Sequence, residues 1–224
     1  MSMSIPFLPL LERVFDRKRV WRCLLFACLP AGLLYAASLL VLRSLGFETM
    51  EILRDPAQQS GASSFLGYLS NLGVWLWVSA TAISGFGAVT MAAGRWHARR
   101  ELLVLAGLFS MILAVDDFFL LHDRYIDQRI LYATYALVAA LLLLRHHRSI
   151  VEIDGFAYLL AMSLLALSVG TDLVQYVLPL PYAHSQIFEE GFKFLGAATW
   201  LYFCGRVAAF ALIGDDSARR SGRA

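Results

Sequence analysis

Residues 102–123 read LLVLAGLFSMILAVDDFFLLHD. Thirteen of the fourteen residues before Asp116 are apolar or glycine, and only Ser110 interrupts them. A run of this kind makes a helix that sits in hydrocarbon, where each backbone polar group must be satisfied within its own segment. Two adjacent aspartates then appear inside the same segment. Charged groups at membrane depth are expensive and face a bundle interior or a wet cavity, so they mark a functional site by default.

The rest of the chain repeats the pattern. Of its 224 residues, 59% are hydrophobic and only 16% charged, with a mean hydropathy of +0.63. That charge content lies well below the soluble norm of about 25%. A span needs about 20 apolar residues. Six segments qualify, at 20–42, 66–92, 102–121, 127–145, 155–178 and 187–213. The expected fold is therefore all-α, a polytopic bundle of six transmembrane helices over 20–213. Residues 1–19 are expected to be a cytoplasmic segment with a short interfacial amphipathic helix, PFLPLLERVF, and 214–224 a disordered cytoplasmic tail. Arg17, Lys18, Arg19 and Arg22 before the first span resemble a signal-peptide flank, but the span is too long for a signal core and is read as retained.

Basic residues set the orientation. Fourteen Lys and Arg fall at the N-terminus, in the loops after spans two and four, and at the C-terminal end. Four, namely Arg43, Arg54, Arg124 and Arg129, fall on the other side. Both termini are expected in the cytoplasm of a multi-pass inner-membrane protein. The net charge of +2 points to no nucleic-acid partner. The partners expected are the lipid bilayer, a lipid or lipid-linked substrate and a second copy of the chain. Cys23, Cys28 and Cys204 form no CxxC pair and no disulfide framework.

At 1.5 Å per residue, Asp116 lies roughly 8 Å inside the outer end of span three. Asp172 lies roughly 10 Å inside span five, Lys193 roughly 9 Å inside span six and Asn71 roughly 8 Å inside span two. One polar layer below the outer surface follows. Asp117, Glu189 and Glu190 belong to it, and His122, Asp123 and His184 lie at its mouth. Ser168, Asp172 and Tyr176 make an i, i+4, i+8 stripe. Asn71 and Trp75 are an i, i+4 pair, and both glutamates are spaced to reach Lys193. Five carboxylates against one ammonium cannot all stay charged and unpaired in a low dielectric. Either protons or a bound cation must compensate.

The expected site accordingly has Asp116, Asp117, His122, Asp172 and Glu190 as ligands of a divalent metal cation. Glu189 would be the general base and Lys193 the stabiliser of an anionic transition state. Asn71, Trp75, Tyr176 and His184 would line the pocket. The function expected is a metal-dependent membrane hydrolase or transferase acting on a lipid or lipid-linked substrate. The alternatives are a proton- or cation-translocating transporter or channel subunit, and a non-catalytic sensor or assembly subunit. A one-sided polar layer argues for a pocket rather than a pathway. Ala80, Ser84 and Ala88, four residues apart, read as a close helix-packing face rather than a pore lining.

Overall fold

The computed structural model describes residues 17, 21, 24–53, 56–63, 65–91, 97–174 and 182–221. Among them every regular element is helical and there is no strand. The chain divides into two units, Met1–Leu66 and Gly67–Ala224. The expected interfacial helix within 1–19 lies outside the described residues, apart from Arg17.

The first unit carries a π-helical turn, Leu24–Cys28, that runs into α1, Leu29–Ser44. Pro30 explains the change of pitch: it has no N–H for the carbonyl four residues back, and its ring crowds that carbonyl. Helix α1 closes at Gly46, whose φ of 95° suits glycine and whose N–H reaches the Arg43 carbonyl at 3.0 Å. Two short helices follow, α2 (Thr49–Leu53) and α3 (Pro56–Ser60). Among the described residues, the apolar helical stretch Gly32–Ser44 is shorter than a membrane crossing.

The second unit holds α4 (Tyr68–Thr90), α5 (His97–Phe119), α6 (Leu121–Arg124), α7 (Gln128–Val174) and α8 (Tyr182–Ser221). Among the described residues, three segments are long and apolar enough to cross a membrane: Tyr68–Thr90, Ala98–Phe119 and Gln128–Val174. Helix α8 covers the stretch expected to be the sixth span. It also runs on to Ser221, over most of the stretch expected to be a disordered tail.

The 47 residues of α7 would reach about 70 Å if straight, more than twice the hydrocarbon thickness. The helix bends instead. His146 (φ −116°, ψ 15°) and Asp154 (φ −167°, ψ 77°) leave the helical region. The arms on either side lie antiparallel: the Tyr158 hydroxyl donates to the Ala139 carbonyl at 2.6 Å, and the Tyr132 hydroxyl to Asp172 at 2.9 Å. The two arms cover the stretches expected as the fourth and fifth spans, and the chain turns between them at the two non-helical residues.

Small residues set how closely the helices approach. Ala80, Ser84 and Ala88 are all buried. A Cβ on Gly87 of α4 would come within 2.9 Å of the Ala208 Cβ on α8, and one on Gly196 of α8 within 3.2 Å of the Leu165 backbone on α7. The tight crossings bring Trp200 of α8 to the centre. Its ring meets Phe109 at 5.7 Å and Tyr158 at 5.9 Å, both edge-on, and its Nε1 donates to Ser110 Oγ at 2.8 Å. One end of the unit is closed by basic residues. Arg99 pairs with Glu152 at 3.0 Å and lies over the Phe210 ring, Arg145 pairs with Glu101, and Arg100 donates to the Ala88 carbonyl.

Candidate functional site

At the other end, the C-terminus of α5, both free ends of the α7 hairpin and the start of α8 come together. Helix α5 stops at Phe119, and Leu120 turns the chain with φ 54° and ψ 45°. A leucine in the left-handed region carries strain, which persists only where surrounding contacts hold it. Here they do. The turn folds α6 back so that the His122 N–H donates to Asp116 Oδ1 at 2.9 Å, while His122 Nδ1 lies 3.0 Å from Asp116 Oδ2. Nε2 is left facing Asp123 at 3.6 Å. The Tyr132 ring lies 6.1 Å from the His122 ring.

Asp117, about 100° further round α5, serves two other helices. Trp77 Nε1 on α4 donates to its Oδ2 at 3.3 Å, and Lys193 Nζ on α8 to its Oδ1 at 3.4 Å. Lys193 also donates to Glu190 at 2.7 Å. Glu189 accepts from Gln186 at 2.7 Å, and Asp172 from Tyr132.

These groups edge a cavity of about 480 Å³. Asp116, Asp117, His122, Asp172, Glu189 and Lys193 all line it. Deeper along the same helices the lining becomes apolar. Phe109 lies seven residues below Asp116, Met162 ten below Asp172 and Ala139 seven beyond Tyr132, roughly 10 to 15 Å into the bundle. The cavity is thus polar at one end and greasy at the other. Glu190 borders instead a smaller cavity of about 210 Å³, which shares Trp77 and Lys193 as its wall.

Other expected lining residues lie elsewhere. Trp75 is 67% exposed and Trp77 only 2%. The buried face of α4 runs through Gly73, Trp77, Ala80 and Ser84, so Trp75, two residues off phase, points away with Asn71. His184 is exposed, and Tyr176 lies outside the described residues. Two phenols that the sequence reading passed over, Tyr132 and Tyr135, line the cavity. They lie three apart near the start of α7, at the depth of Asp172, and that spacing was the available signal.

Each expected metal ligand is engaged by the protein: Asp116 with His122, Asp117 and Glu190 with Lys193, Asp172 with Tyr132. Among the described residues no three His, Cys, Asp or Glu side chains are grouped to hold a metal ion.

His122 sits on α6, outside the long helices. The hydrogen bond that its ring donates to the Asp116 carboxylate holds the imidazole pKa above the ordinary 6.5, against the opposing effect of burial. The folded state therefore favours the imidazolium. Its contribution, on the order of 1–2 kcal/mol for a hydrogen bond between charged groups, is complete below pH 6.5 and fades as pH rises through the raised value. Melting of His122→Gln should fall furthest below wild type near pH 6, and the gap should narrow in alkaline buffer. A gap that ignores pH would remove His122 charging from the account.

An all-helical chain with apolar helices of membrane-crossing length, closed around a half-polar cavity, is the class of protein that this fold and site define. The chain belongs to the family DUF8692, a domain of unknown function, whose model matches residues 23–207. No curated protein and no solved structure matches it.

Proposed function

We propose that the chain is a six-span membrane protein with both termini in the cytoplasm, and that its cavity binds an amphipathic molecule of the outer leaflet. The observation that carries the reading is the polarity gradient of the cavity. A lipid-like molecule has the same gradient, with its polar end at the acid–base layer and its chain towards the midplane. Orientation is supported by the positive-inside rule. The basic cluster of Arg99, Arg100 and Arg145 lies at the end opposite the cavity mouth. Its ion pairs also favour a closed pocket over a through-path for ions.

The Asp116–His122 pair favours catalysis as the use of the pocket. With Nδ1 held by the carboxylate, the neutral imidazole, populated above the raised pKa of His122, takes a proton from water at Nε2 during hydrolysis of a lipid or lipid-linked substrate. A divalent metal in the layer is the variant of this reading in which the carboxylates exchange their present donors for a cation. Metal analysis of wild type and an Asp116→Asn, Asp172→Asn double variant, purified without chelator, separates the two. A near-stoichiometric metal lost in the variant supports the metal form.

The pocket itself is tested with Gly170→Phe. Gly170 lines the cavity, and a Cβ there meets no atom within 4 Å. Mass spectrometry of solvent extracts should find a bound amphiphile at near-stoichiometric level in wild type and little in the variant. Equal amounts in both would overturn the reading.

A further inference from the structure

The inference rests on the pocket reading and deepens it by naming the ligand class. Four carboxylates line the cavity, those of Asp116, Asp117, Asp172 and Glu189, against one ammonium, Lys193, and one imidazole, His122. Even with both bases charged, acids outnumber them. Both bases are also committed: His122 to Asp116, and Lys193 to Asp117 and to Glu190 outside the cavity. An anionic headgroup would meet excess like charge and two cations already holding carboxylates.

The acids are not alone. Trp77, Phe109, Tyr132 and Tyr135 contribute four aromatic rings to the same wall. Tyr132 is bonded through its hydroxyl to Asp172, and Tyr135 lies edge-on to Phe109 at 6.3 Å. Carboxylates beside aromatic rings are the arrangement that recognises alkylated ammonium groups, through charge and ring quadrupole together. Asp172 comes from α7 and Glu189 from α8, so a cation between them would also tie the hairpin to the last helix. A cavity of about 480 Å³ is within the range of small-molecule sites. Its apolar half leaves room for a hydrocarbon body.

We infer that the cavity recognises an alkylated ammonium group attached to an apolar body, with Asp172 and Glu189 facing the charge and the aromatic wall enclosing it. The ammonium belongs either to a free lipophilic amine or to a lipid headgroup.

Native mass spectrometry of the full chain in nonionic detergent can count bound decyltrimethylammonium and 1-decanol, which share a chain and differ in charge. The expected result is saturable binding of the cation, at least tenfold tighter than the alcohol. Asp172→Asn and Glu189→Gln, each checked for an unchanged melting temperature, should weaken the cation at least tenfold and leave the alcohol unaffected. Glu189→Gln is the second route should Asp172→Asn fail to fold, since Glu189 is only half-buried. Equal affinity for the two ligands, or cation binding indifferent to both substitutions, overturns the inference while leaving the pocket standing. Binding of neither ligand, with Gly170→Phe behaving as wild type, overturns the pocket as well. Displacement of the cation by lysophosphatidylcholine assigns the ammonium to a lipid headgroup. Resistance to displacement assigns it to a free amine, and either result upholds ammonium recognition.

Discussion

Lys193→Met should lower the melting temperature of the purified protein by on the order of 10 °C, corresponding to a loss of about 3–5 kcal/mol. The side chain keeps its length and its apolar stem, so packing changes little. What changes is charge. Asp117, with only 11% of its side chain exposed, loses the ammonium at 3.4 Å and keeps Trp77 Nε1 as a neutral donor. Removing one partner of a buried pair leaves an uncompensated charge, which costs far more than the pair contributed. Glu190 also loses its partner, but it is 37% exposed and water takes over. The test lies in the double variant. Asp117→Asn in the Lys193→Met background removes the stranded charge while its amide oxygen still accepts from Trp77. It should recover most of the loss, with a coupling of about 1–3 kcal/mol between the sites. If Lys193→Met melts like wild type, the Asp117–Lys193 pair is no part of what holds α5 against α8.

That pair was partly legible in the sequence. Depth follows from counting residues along a helix, and depth placed Asp116, Asp117, Asp172, Glu189 and Lys193 in one layer, which is where they line one cavity. Phase does not follow from counting alone. Trp75 and Trp77 both sit near the acidic layer, and which one faces inward depends on the small residues against which α8 packs. Gly73, Ala80 and Ser84 are in phase with Trp77. Partners were the other blind point. The charge count set Lys193 against the five acids but left out the neutral hydroxyl and indole donors on neighbouring helices, Tyr132 and Trp77. The bend in α7 was hidden for a different reason. Residues 145–154, RHHRSIVEID, read as a polar loop, yet they contain no glycine or proline, and Ile150 and Ile153 are buried. The chain leaves the helical region only at His146 and Asp154, with helix between them, where its charges alone suggested a loop throughout.

Trp200→Ala should be at least as costly as the loss of Lys193, about 3–5 kcal/mol, and its consequence should reach the cavity. Trp200 is fully buried. In hydrocarbon the gain from excluding water is absent between helices, so packing contacts and hydrogen bonds carry the association. This ring supplies both. It holds Phe109, Tyr158 and Phe203 within 6 Å and donates to Ser110 on α5. Trp200→Phe keeps most of the ring contact and loses the donor, so it should cost only about 1 kcal/mol; the difference between the two variants measures the packing. Phe109 is the link to function, because one edge of it stacks on Trp200 while it also lines the cavity. Without the indole, Phe109 has room to swing away and the apolar half of the cavity deepens. Trp200→Ala should therefore accept a longer alkyl chain than wild type, read as a shift in the preferred chain length of a homologous alkyltrimethylammonium series. A variant that melts far lower but keeps the wild-type chain-length preference would show that Phe109, not the tryptophan behind it, sets the floor.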